Sequence, residues 1–369
     1  MNSSVDVNRI MGGIGEQVGR LVSAHPGKMP AYTEGGRWHL GEDAWAPMWT
    51  GGFFAGLLWI LAEAQPASGW RKEAERYSGL LKRFASDPEQ SHSIGFIFTP
   101  SWSRWHAVAP SDETREVIVE AGREMAKSFN LEGRYLRTWV DPGSTFIDMM
   151  MMLDLLYEAA SLSGDDTLAE VATAHALTTR RYLVRGDAST VHEGWFDPIS
   201  GEFLRAATHQ GFRPDSTWTR GQTWAIYGFG SAFRWTGDPR FLDTARRCAD
   251  LYIENVGDRF VGPNDLNATE AGLPYESSAA AIAASAMLQL SEFDNGESPY
   301  RRYAIGILNR LSQPDFFEVG NTTYEGILKH AIYHLRRGVG VNESVMWGDY
   351  YFAEALDRLR RSATVAESH

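Results

Sequence analysis

The sequence predicts an all-α chain folded as one (α/α)6 barrel spanning residues 1–369. Three observations carry this expectation. Six apolar segments alternate with six charged, amphipathic ones. Turn and capping residues punctuate several junctions. The 13 Trp, 14 Tyr and 18 Phe gather in the apolar segments instead of spreading evenly.

Taken in chain order, residues 6–24 form an amphipathic outer helix, and 49–62, dense in Trp, Phe, Leu and Gly, form the first inner one. Residues 70–86 lead outward again and 94–105 inward; 111–128 and 145–160 repeat the step, the latter carrying the run Met149-Met150-Met151-Met152. Ser163-Gly164-Asp165-Asp166 then stops one helix and caps the next, 166–182. The inner segment 218–235 is followed by Thr236-Gly237-Asp238-Pro239 and the outer segment 238–255. The last inner segments are 276–290 and 346–359, with 298–312 between them after the turn run Asp294-Asn295-Gly296-Glu297-Ser298. Inner segments built of Gly, Ala and Trp, without a charged concave face, favour a closed ring over an open solenoid. The connection 183–217 is long for a compact domain, a length that marks functional loops, and 195–203 reads as a small hairpin on it.

Composition excludes several classes of function. With 35 Lys+Arg against 47 Asp+Glu, the net charge of -12 repels nucleic acid and anionic membrane, so an anionic ligand requires a local cationic pocket. Cys248 is the lone cysteine, which rules out an intramolecular disulfide and a thiolate metal cluster and suits a reducing, cytoplasmic setting. No His-Glu-x-x-His run or tight carboxylate cluster points to a metal, and neither metal nor cofactor is expected. The glycines of Gly13-Ile14-Gly15-Glu16-Gln17-Val18-Gly19 follow no strand and read as helix, not as a nucleotide loop.

Two places carry chemistry. Asp148 stands in the first turn of an apolar segment after Pro142-Gly143-Ser144, on a stripe with Met152, Leu155 and Ala159, while Asp154 and Glu158 mark the wet face. A carboxylate there is either a helix-dipole cap or an acid whose pKa burial raises toward neutrality. Trp218-Thr219-Arg220-Gly221-Gln222-Thr223-Trp224 opens another inner helix, with Arg220 and Trp224 four apart; an aromatic platform beside a guanidinium suits a sugar bearing a carboxylate, while core packing accounts equally well for Trp224. His192, His209 and Gln210 on the preceding loop converge on the same barrel mouth.

Several strings resemble the unsaturated glucuronyl hydrolases of glycoside hydrolase family 88. They are Ala174-His175-Ala176-Leu177, Arg185-Gly186-Asp187, Thr208-His209-Gln210-Gly211, Ser216-Thr217-Trp218-Thr219-Arg220-Gly221-Gln222 and Trp347-Gly348-Asp349-Tyr350-Tyr351. The resemblance implies an (α/α)6 barrel that removes a 4,5-unsaturated glucuronic acid from the non-reducing end of oligosaccharides left by polysaccharide lyases. It implies Asp148 as the acid/base, hydrating the C4=C5 vinyl ether instead of displacing at the anomeric carbon. It further implies that His192, Gln210, Arg220 and Trp224 contact the sugar and that Trp49 and Trp139 line the pocket, with His92, His209 and Trp218 beside them. Family members read His-Asp-Ile-Gly-Phe where this chain reads His92-Ser93-Ile94-Gly95-Phe96, so Ser93 stands in place of a second aspartate. Competing readings are an unsaturated rhamnogalacturonyl hydrolase on the same barrel and a non-catalytic sugar-binding protein, the latter motivated by Ser93.

Overall fold

A computed structural model describes residues 5–41, 46–88, 92–268, 273–294 and 297–367. Six inner helical elements form a closed ring: Ala46–Ala64, the composite element starting at Ile94, the element starting at Ile147, Thr219–Thr236, Ser277–Ser291 and Met346–Glu367, the last packing against the first. Outer helices Val7–Ala24, Trp70–Leu81, Asp112–Ala126, Asp166–Tyr182, Pro239–Val256 and Pro299–Leu311 surround them. The alternation expected from the sequence is therefore the architecture observed.

Local chemistry sets the boundaries. Asp6, Ser111, Asp165, Asp238 and Ser298 each accept a backbone N–H from the first turn of an outer helix, a cap worth about 1 kcal/mol apiece. Residues 295 and 296 of the last turn signal lie outside the described residues. The inner helices approach closely: a Cβ on Gly52 would collide with the backbone of Phe96 and Ile97 in the neighbouring helix.

Two inner elements depart from a plain helix. Residues 94–108 run as Ile94–Phe98 in α form, Thr99–Ser103 in π form and Arg104–Val108 in α form, and Pro100, which lacks an N–H, sits in the distorted turn. The expected helix 145–160 begins instead as strand Ser144–Phe146 and a 3-10 turn Ile147–Met152, and only Leu153–Ser163 is α-helical. Tertiary pairing overrides helical periodicity here, because Thr145 is opposite Gly194 and Phe146 opposite Glu193 in a three-stranded sheet.

That sheet is completed by hairpin strands Glu193–Phe196 and Phe203–Ala207, which the sequence placed on the long loop. Asp154 and Glu158 are not on a wet face. Asp154 accepts from Trp235 Nε1 at 2.8 Å and Ser231 Oγ at 3.0 Å, and burial pushes Glu158 up to about 7. Asp154 also lines a cavity with Arg104, Tyr227 and Glu354 at the far end of the barrel axis.

Candidate active site

All six inner elements present their N-terminal ends to one mouth of the barrel. Trp49 lies near the start of the first, Ser93 is the N-cap of the second, and Asp148 stands in the first turn of the third. Trp218 and Glu276 are the N-cap residues of the fourth and fifth, and Trp347 is the second residue of the sixth. Helix N-termini carry partial positive charge, so a chain of net charge -12 still offers an anion-favouring mouth.

The three-stranded sheet brings the long loop to Asp148. The Ile147 N–H donates to His192 O at 2.9 Å, which fixes His192 beside the next residue, Asp148. His192 Nδ1 accepts from the backbone N–H groups of His209 at 3.0 Å and Gln210 at 3.1 Å and lies 3.2 Å from Thr208 Oγ1. With two N–H groups aimed at it, Nδ1 carries no proton, so the neutral ring holds its hydrogen on Nε2. Burial, reinforced by His209, Arg220 and His334, keeps the imidazole neutral by holding its pKa well below the ordinary value.

His192 Nε2 is 3.6 Å from Asp148 Oδ2. A neutral ring makes no ion pair, and the gap exceeds a hydrogen bond. Both atoms are buried without a protein partner. Burial raises Asp148 to about 6, and Arg220 and a backbone N–H only partly oppose it. Burial thus leaves a carboxyl able to exchange a proton near neutrality, in close contact with the fixed His192 Nε2–H.

Other polar atoms around this space are also unpartnered. Seven of the thirteen such atoms among the described residues belong to the mouth: His92 Nδ1, Asp148 Oδ2, His192 Nε2, Trp218 Nε1, Trp224 Nε1 and both ring nitrogens of His334. Native interiors rarely leave such groups orphaned, and their concentration at one mouth is the signature of a polar ligand.

Aromatic rings join these residues into a wall. His92 lies 6.4 Å from Trp139 and 5.8 Å from Phe146. Phe146 stacks on His209 at 5.8 Å, and His192 packs on Trp218 at 4.4 Å. Trp49 contacts Tyr333 and Trp347 on the opposite side, and Trp224 packs on Phe96 at 5.6 Å. Trp139 is 59% exposed and stands at the rim.

All the site residues expected from the sequence gather here, although two occupy unexpected settings. Arg220 is buried, and its terminal nitrogens bond to Glu276, Gln210 and the carbonyls of Ile332 and Tyr333. Ser93 makes no capping bond, so its hydroxyl is uncommitted to the helix end. Phe146, Glu276 and Trp347 complete the mouth without having been assigned a role, and Tyr333 and His334 join them from the strand Ala331–His334. Glu276, a lone carboxylate opening an Ala- and Ser-rich apolar helix, was the legible signal among them.

Comparisons with known proteins agree with this fold. The chain is 33% identical over 330 residues to an unsaturated glucuronyl hydrolase of Bacillus sp. (strain GL1), covering 86% of this chain and 87% of that protein. A solved UGL structure described as carrying an Asp-to-Asn replacement and dGlcA-Glc-Rha-Glc superposes with TM-score 0.91 at 30% identity, covering 96% of this chain and 97% of that one. An unsaturated glucuronyl hydrolase described as specific for heparin superposes with TM-score 0.91 at 27% identity, covering 97% and 98% of the two chains. No protein-family model matches the chain. Among the described residues no helix is long and apolar enough to cross a membrane.

Proposed function

The chain belongs to the unsaturated glucuronyl hydrolases of glycoside hydrolase family 88, and within that hydrolase chemistry we propose that Asp148 is the acid/base. The reaction removes a 4,5-unsaturated glucuronic acid from the non-reducing end of oligosaccharides made by polysaccharide lyases. Protonated Asp148 delivers its proton to C4 of the vinyl ether, and positive charge develops at C5 and the ring oxygen. The resulting carboxylate then takes a proton from the water that attacks C5. The hemiketal so formed opens and releases the remaining saccharide.

The observation that carries this reading is the facing pair of unpartnered atoms, Asp148 Oδ2 and His192 Nε2. His192, held in one tautomer by the Thr208–Gly211 turn, supplies a fixed donor toward the attacking water or the carboxylate without competing for the proton. Gln210, His92 and His209 offer hydrogen bonds to the sugar, while Trp49, Trp139, Trp218 and Trp224 enclose its ring. Ser93 replaces the second family aspartate and offers a hydroxyl to water or a sugar hydroxyl. Burial raises the Asp148 pKa to about 6 even without a like-charge neighbour at position 93.

A single barrel domain serves this activity, a reading supported by one hydrophobic core running from Ile10 to Leu356. A reducing, cytoplasmic setting accords with Cys248 as the lone, buried thiol. Loss of the ultraviolet band of the conjugated uronate reports hydrolysis directly. Asp148→Asn is expected to abolish that loss, and undiminished turnover would defeat the assignment. Binding of several lyase products with no loss of the band in the unaltered chain would instead identify a sugar-binding barrel, the reading that Ser93 favours.

A further inference from the structure

Arg220 is the residue that the resemblance assigns to the sugar, yet its guanidinium faces protein. Nη1 donates to Glu276 Oε2 at 2.7 Å and to Ile332 O at 2.6 Å; Nη2 donates to Gln210 Oε1 at 2.6 Å and to Tyr333 O at 3.0 Å. Four of its five N–H donors are thereby spent, leaving only Nε. Trp218 and Trp347 cover the guanidinium, with ring centroids 4.4 and 5.2 Å from Cζ. Arg220 is 3% exposed and Glu276 is fully buried.

Glu276 completes the arrangement. Its Oε1 accepts from Ser278 Oγ at 2.7 Å and from the Ile332 N–H at 3.4 Å. Ile332 is thus held through its carbonyl by Arg220 and through its N–H by Glu276. This residue belongs to the strand Ala331–His334, which carries Tyr333 and His334 into the mouth. The Gln210 carboxamide is oriented by the same guanidinium, which takes its oxygen and turns its NH2 donors away from Arg220.

We propose that Arg220 and Glu276 act as a positioning clamp, locking Gln210 and the strand Ala331–His334 over the catalytic pocket, with Glu276 neutralising the guanidinium next to Asp148. Arg220 then acts on the sugar through Gln210, Tyr333 and His334 and not by gripping its carboxylate. Lysine is no substitute, since a single ammonium lacks the planar fork that reaches four acceptors at once.

The clamp has two separable effects, geometric and electrostatic; the pH part rests on Asp148 being the acid, while the KM part does not. Turnover of an unsaturated glucuronyl disaccharide, followed by ultraviolet loss across pH, reads both. Arg220→Lys keeps the charge and loses the fork: KM rises on the order of tenfold and the pH limb stays in place. Arg220→Gln raises KM and moves the limb upward by about one unit, because Asp148 loses a cation and faces an unbalanced Glu276. Glu276→Gln moves the limb downward by about one unit, because Arg220 is no longer neutralised. The double variant Arg220→Gln/Glu276→Gln returns the limb to its original position while KM remains high.

This double variant buries no unpaired charge, so it tests the clamp even if a single variant fails to fold by near-ultraviolet circular dichroism. A wild-type KM in Arg220→Lys or in the double variant overturns the clamp, and so does a Glu276→Gln enzyme with an unmoved limb. A limb that persists in Asp148→Asn would instead remove the assignment of Asp148 and leave the KM comparison standing.

Discussion

The two ends of the barrel axis hold buried carboxylates with opposite fates. At the mouth, Asp148 has an unpartnered oxygen, and burial raises it to about 6 against the partial opposition of Arg220. At the far end, Glu354 accepts from Arg104 and Tyr350 on one oxygen and from Tyr227 and Ser285 on the other. Burial would raise Glu354 too, but Arg358 and Arg104 with these hydrogen bonds hold it down to about 2. A cavity of about 220 Å³ lies at that end, with Arg104, Asp154, Tyr227 and Glu354 in its wall. Depth does not distinguish the two groups. Full pairing makes a carboxylate structural, and withheld pairing leaves one available for proton transfer.

Paired substitutions sharpen this contrast. Asp148→Asn should lower turnover by a factor on the order of 10³ while the protein remains folded. Glu354→Gln should instead lower stability by about 3 kcal/mol, because Arg104 and Arg358 lose their common counter-ion, as a denaturant titration would record. A catalytic loss from Glu354→Gln without loss of stability would break the comparison. Asp148→Asn should also raise stability at pH 7 by up to about 3 kcal/mol, since an ionised, poorly paired carboxylate is removed; a lowered melting temperature would contradict this.

Ser93→Asp follows, with an expected gain in turnover on the order of 100-fold from restoring the second family carboxylate. Equal rates in the two proteins would mean that Ser93 already serves the reaction. The smallest effects are in pH dependence. Turnover should fall as pH rises through about 6, where Asp148 loses its proton.

Stability has two opposing slopes. The folded pKa of Asp148 is raised, so its cost to stability appears as pH rises from 3.8 to about 6. The folded pKa of Glu354 is depressed, so its contribution is present above 4.5 and is lost as pH falls from there toward about 2. Melting curves of the two variants across this range separate the terms.

The alternation of helices, the caps at Asp165, Asp238 and Ser298, and the hairpin on the long loop were legible because each rests on nearest-neighbour chemistry. Helical spacing misplaced Asp154 and Glu158, because it registers which face is apolar and is blind to a polar axis inside a closed ring. Nor did it reveal that the segment at Asp148 begins as a strand, since the partner Glu193–Phe196 lies some distance along the chain. Glu276 was unassigned for the same reason, as its partners Arg220 and Ile332 come from other hairpins.

The sequence by itself determined the ring of helical hairpins, the family resemblance and Asp148 as the candidate acid, all of which depend on local periodicity or short strings. Tertiary structure alone decided that burial raises the Asp148 pKa toward neutrality, that His192 presents Nε2–H, and that Arg220 is spent on Glu276 and Ile332. Those outcomes depend on desolvation and on hydrogen bonds between groups far apart in sequence, and such terms exist only once the ring has closed.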